Sequence, residues 1–140
     1  MPPSPIENLF SLDSACSLGD KVYLFACRED SENSIYVLHN PSASIASQEL
    51  HWQVIRVPED AFIYRDLCIF VPLNSTEIAI LGGRDENEED LGGVITFNTT
   101  SNEFKKVMVD EADSFCAVNN QSAKVYENSI FVMLEYATGF

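Results

Sequence analysis

The chain has 140 residues, 46% of them apolar, and no run approaches the roughly 18 consecutive apolar positions that a membrane span needs. Lys and Arg number 8 against 22 Asp and Glu, a formal charge of -14 that is spread through both halves. The length allows one ordinary domain. The charge excludes the basic stripe with which a protein displaces counterions from nucleic acid or an anionic membrane, so neither is an expected partner.

The chain opens on "MPPSPIENLF", three prolines and an acidic residue where a secretory signal has a basic start and an apolar run of about 7–15 residues. Residues 1–9 read as disordered, and export is not expected. Cys16, Cys27, Cys68 and Cys116 lie far apart with no C-x-x-C pair, and read as buried free thiols of a reducing, cytoplasmic compartment. In that setting the Asn-x-Ser/Thr triplets at Asn74, Asn98 and Asn120 are turn residues and not glycan acceptors.

After "DSACSL" the chain is a succession of short runs rich in Val, Ile, Phe and Tyr: "KVYLFAC" (21–27), "SIYVLH" (34–39), "HWQVIRV" (51–57), "DLCIFVPL" (66–73), "EIAILGG" (77–83), "GVITFN" (93–98), "EFKKVMV" (103–109), "AKVYEN" (123–128) and "SIFVMLE" (129–135). Asn, Asp, Ser, Gly or Pro separate each from the next, and no stretch sustains a period of 3.6. The fold class is all-β, with neighbouring strands joined as hairpins.

The runs repeat. "DKVYLFAC" begins at Asp20, "TEIAILGG" at Thr76 and "NSIFVMLE" at Asn128, a recurrence every 52 to 56 residues, each copy entered through a polar turn and preceded by another apolar strand. The first two copies continue alike, with a strand ending near Asn and then a strand opening on an aromatic. Leu38 and Trp52 lie 14 residues apart in copy one, and Phe97 and Phe104 lie 7 apart in copy two. The central runs "VYLFA", "IAIL" and "IFVML" are continuously apolar, the pattern of strands covered on both faces.

A hairpin ending in Gly-Gly, an acidic loop, an aromatic strand and a second aromatic seven residues on resembles the kelch repeat, the four-stranded blade of a β-propeller. Gly82 and Gly83 stand at the family's double glycine, Phe97 at its usual Tyr and Phe104 at its usual Trp. Copy one has Ala26-Cys27 at the glycine pair, Leu38 at the Tyr and a true Trp in Trp52, while copy three has Leu134-Glu135 at the pair. The resemblance implies a partial β-propeller of about two and a half kelch-type, four-stranded antiparallel blades, over residues 10–57, 64–109 and 115–140. In it Gly82 and Gly83 are structural, permitting positive φ and close backbone approach, and Trp52, Phe97 and Phe104 pack between blades.

A closed propeller has about four to eight blades. Three arrangements reconcile the difference: a piece of a longer protein, which is preferred, several copies forming one ring, or a two-sheet sandwich. An open arc leaves apolar blade faces and unpaired edges, so self-association through exposed blade edges is expected.

No chemistry assembles from the remaining candidates. A phosphate loop opens a helix and usually carries a Lys, but Gly82-Gly83 is followed by Arg84 and then by Asp85, Glu86, Glu88, Glu89 and Asp90, which repel an anion. Asp85, Asn87 and Glu89 alternate as calcium ligands do, yet the run lacks a mid-loop glycine and has Thr96 at the twelfth position. His39 and His51 have no carboxylate or nucleophile at a suggestive spacing, and no Gly-x-Ser-x-Gly occurs. Neither a metal nor a cofactor is expected. The expectation is a non-catalytic interaction module whose partner is another protein, bound through Arg84, Asp85, Glu86, Glu88, Glu89 and Asp90. The resemblance also implies that the loops 84–90, 58–64 and 110–115 share one face. The alternative is a remnant of a propeller oxidase resembling galactose oxidase, which needs Tyr and His ligands around copper.

Overall fold

A computed structural model describes residues 9–28, 33–39, 51–58, 68–84, 87, 93–107, 123–127 and 129–132. They form ten strands and no helix: β1 (Leu9–Leu18), β2 (Lys21–Arg28), β3 (Asn33–His39), β4 (His51–Arg56), β5 (Ile69–Pro72), β6 (Glu77–Leu81), β7 (Val94–Asn98), β8 (Phe104–Val107), β9 (Ala123–Tyr126) and β10 (Ser129–Val132). Accordingly, no helix among the described residues is long and apolar enough to cross a membrane.

The strands make three antiparallel sheets, β1-β2-β3-β4, β5-β6-β7-β8 and β9-β10, each a meander in which sequence neighbours pair. Sheets of four, four and two strands match the repeat count read from the sequence. The hairpin turns carry the polar residues that punctuate the repeats. Gly19 (φ 62°) turns β1 into β2, and Glu127 (φ 53°) lies between β9 and β10 in the left-handed region that side chains usually avoid.

The pairing register aligns the repeats residue by residue. Val22 pairs with Leu38 and Leu38 with Trp52, while Ile78 pairs with Phe97 and Phe97 with Phe104. Copy one's longer β3–β4 connection is thus absorbed outside the ladder. Its aromatic still arrives at the same cross-strand position.

The sheets stack face to face. Tyr23, Phe25, Ile35 and Val37 of the first sheet pack against Phe70, Ile78, Ile80, Ile95 and Phe97 of the second, with Cys68 in the same core. Ring contacts mark the seam: Tyr23 meets Phe97 edge-on at 6.4 Å between centroids, and Phe25 lies 5.9 Å from Phe70. Side chains alternate across a strand, so Val71, Ala79 and Leu81 point the other way and pack against Ala123, Val125, Ile130 and Val132 of the third sheet. The second sheet is therefore buried on both faces, which explains the unbroken run "IAIL". Small Ala79 leaves that face room for the close approach of the third sheet.

The first strands of the sheets are neighbours, β1 beside β5 and β5 beside β9. Ser14 Oγ of β1 accepts a hydrogen bond from the backbone N–H of Phe70 at 3.0 Å, which satisfies a donor on what is otherwise the open edge of the second sheet. Of the three packing aromatics, Phe97 is fully buried, Phe104 lies against it at 4.8 Å between centroids, and Trp52, on the equivalent ladder row of the first sheet, is half-buried. It stands on the outward face of the first sheet, opposite the second, because its partner Leu38 alternates with the inward-facing Val37.

Truncation at the seam tests this packing. Phe97→Ala should lower the unfolding free energy by about 3–5 kcal/mol in urea titration. Lys105→Ala, on the exposed side of β8, should change it by no more than about 0.5 kcal/mol.

Candidate functional site

Antiparallel order fixes which connections emerge together. In the second sheet β5 begins, β6 ends, β7 begins and β8 ends at one and the same end. The segments leading into β5, from β6 to β7 and out of β8 therefore all spring from it. Residues 58–64, 84–90 and 110–115 belong to those three segments. Pro58, Arg84 and Asn87 are described, whereas Asp85, Glu86, Glu88, Glu89 and Asp90 lie outside the described residues, as do 59–64 and 110–115.

The double glycine shapes the exit from β6. Gly82 has φ 61° and Gly83 has φ 107°, and both are buried. A Cβ disfavours such angles, so a glycine pair lets the backbone swing out of the sheet without strain. Arg84 follows at once and is half-buried. The chain re-enters β7 through Gly93, again with positive φ (87°). The connection thus leaves and re-enters the sheet through positive-φ glycines, and Asn87 is solvent-exposed.

The opposite end of the second sheet is closed by two tight turns. Asn74 Oδ1 accepts from the N–H groups of Thr76 and Glu77, both at 2.9 Å, and Asn74 Nδ2 donates to Glu77 Oε2 at 2.7 Å. Asn98 Oδ1 accepts from the N–H groups of Thr100 and Ser101, at 2.9 and 3.0 Å. Thr99 donates both its N–H and its hydroxyl to the carbonyl of Thr76, at 2.8 and 3.1 Å, and so joins the two turns. Asn74 and Asn98 thus serve as turn residues; Asn120 lies outside the described residues.

The register also creates a pair that spacing did not suggest. His39 and His51 stand directly opposite each other on β3 and β4, with His39 Nε2 3.3 Å from Gln53 Oε1. No signal short of the exact β3–β4 register identifies that pair. Among the described residues no three His, Cys, Asp or Glu side chains lie close enough together to hold a metal ion. Tyr23 is used in the core between sheets and Tyr126 is exposed on the third sheet, so these two phenols are not gathered with the histidines.

Cys16 and Cys68 are free thiols, the first half-buried and the second buried. Burial against the core pushes the Cys16 thiol from its ordinary 9.0 up to about 12. It is a packing group and a poor nucleophile. The side chains of Cys27 and Cys116 lie outside the described residues.

No family model matches the chain, and no curated protein matches its sequence. Among solved structures, that of YjhT superposes over 94% of this chain with a TM-score of 0.67 at 17% sequence identity. The chain shares its fold with YjhT. At that identity the likeness extends to the arrangement of sheets and not to residues of a site. The chain spans 35% of YjhT's length.

Two measurements check these assignments. Gly83→Ala should cost more than about 1 kcal/mol of stability, because alanine is strained at this φ, with the loss read from denaturation midpoints. For Cys16, the native state keeps its proton to higher pH than the unfolded chain. The thiol therefore leaves stability unchanged below pH 9.0 and lowers it as pH rises from there towards about 12. A Cys16→Ala variant should lose less stability than the parent over that interval, and mass mapping should show Cys16 alkylated slowly in buffer and rapidly in denaturant.

Proposed function

We propose that the chain is a kelch-type β-propeller scaffold that binds another protein, without catalysis, through the connections at the Gly82-Gly83 end of its sheets. The observation that carries this reading is the contrast between a sheet packed on both faces and the strongly acidic sequence that follows its central strand. Between buried Gly83 and buried Gly93 the sequence places Asp85, Glu86, Glu88, Glu89 and Asp90. Rigid sheets holding variable loops are a common basis of recognition, and a dense run of carboxylates on a chain of formal charge -14 favours a basic or polar partner surface. Two further segments spring from the same end and enlarge the surface available to that partner. Widely spaced cysteines, of which Cys16 and Cys68 are free thiols, support an intracellular setting for this binding.

The expected behaviour is electrostatic. A chain with Asp85, Glu86, Glu88, Glu89 and Asp90 all changed to Ser should keep its β circular dichroism. It should bind a captured partner, or an array of Lys/Arg-rich peptides, at least about tenfold more weakly, and the difference should shrink as salt is raised. Binding that is equally strong in the Ser variant, or insensitive to salt, would falsify the assignment of this segment as the contact.

A further inference from the structure

The register of the first sheet sets a row of polar side chains across one of its ends. Lys21 pairs with His39 and His39 with His51, where β2 begins, β3 ends and β4 begins. Directly opposed residues share a face, and alternation puts this row on the same side as Tyr23 and Val37, the side that packs on the second sheet. The row lies one step beyond that core, with His39 half-buried and His51 exposed. Gln53, two residues on from His51 and opposite Val37, shares the face.

His39 and His51 are the only histidines in the chain, and antiparallel pairing brings the Cβ atoms of such opposed residues to about 4.5–5.5 Å. At that separation both rings can turn onto a single ion, each nitrogen about 2.0–2.1 Å from it. The contact with Gln53 prepares one ring. Gln53 Oε1 lies 3.3 Å from His39 Nε2, and an amide oxygen only accepts, so Nε2 donates and Nδ1 keeps its lone pair. A metal-binding histidine commonly donates its second ring nitrogen to such an oxygen, which fixes both the tautomer and the ring plane. The ladder already holds the two backbones in register, so chelation has only side-chain rotations left to order.

We propose that His39 and His51 chelate one divalent ion of the copper, nickel and zinc class, with Gln53 as a positioning residue and water completing the coordination. Imidazole suits these metals, whereas calcium and magnesium prefer oxygen ligands. The formal charge of -14 draws cations to the chain, and Lys21, on the far side of His39, is the one like charge in the row. Bound there, the ion clips β3 to β4 at the root of the long connection between them. The site is separate from the Gly82-Gly83 end of the sheets, so it stands or falls independently of binding through the acidic segment.

Titration of the full chain with nickel chloride tests the pair. Calorimetry should give one imidazole-bound ion per chain, and the urea midpoint should rise with nickel concentration, since the ion binds the paired strands in preference to the unfolded chain. Loss of a positioning partner costs about 10–100-fold in metal affinity, so Gln53→Ala should weaken binding at least about tenfold and Gln53→Glu should restore it. Loss of a ligand in His39→Ala or His51→Ala should weaken binding at least as much and remove the rise in midpoint. Nickel affinity unchanged in His51→Ala overturns the proposal, as does the lack of saturable binding in the parent. One ion per two chains also overturns it, since single imidazoles of two copies would then be bridged. Should His39→Ala lose its β circular dichroism, His51→Ala decides, because that side chain is exposed and its truncation leaves the fold intact.

Discussion

The structure depends on a single constraint, that β6 is apolar on both sides. Ile78 and Ile80 require one sheet in front of them, and Ala79 and Leu81 require another behind. A half-buried strand needs only one neighbour and alternates apolar with polar residues, whereas this one cannot be satisfied by two layers alone. Three layers follow from four residues. The flanking sheets are then held against the two faces of the central one.

Much of this was legible in the chain because the repeat is written in side-chain types that physics restricts. The unbroken "IAIL" gave the doubly buried strand. The aromatic positions at Leu38/Trp52 and Phe97/Phe104 gave equivalent ladder rows despite connections of different length, since register is set by which face is buried and not by loop length. The glycine pair was legible for the same reason, because positive φ at consecutive buried positions leaves few alternatives to glycine.

What escaped sequence reasoning depends on the orientation of side chains across non-local pairs. Trp52 keeps the ladder row of Phe104, and that row lies on the face of the first sheet turned away from the second. The His39–His51 pair and the Ser14–Phe70 hydrogen bond arise likewise, from juxtapositions 12 and 56 positions apart with no local signature. The candidate contact surface was legible only as charge, because recognition segments are free of the packing rules that make cores readable. YjhT, with 17% identity over a shared arrangement of sheets, illustrates how far residues can drift while layered burial is kept.

The meander within each sheet has a kinetic corollary. Every strand pairs with the one just made, so each sheet can form by zippering short hairpins before any layer meets another. Such chains behave as a row of units coupled only to their neighbours. The central sheet, gripped from both sides, should hold its amide protons longest.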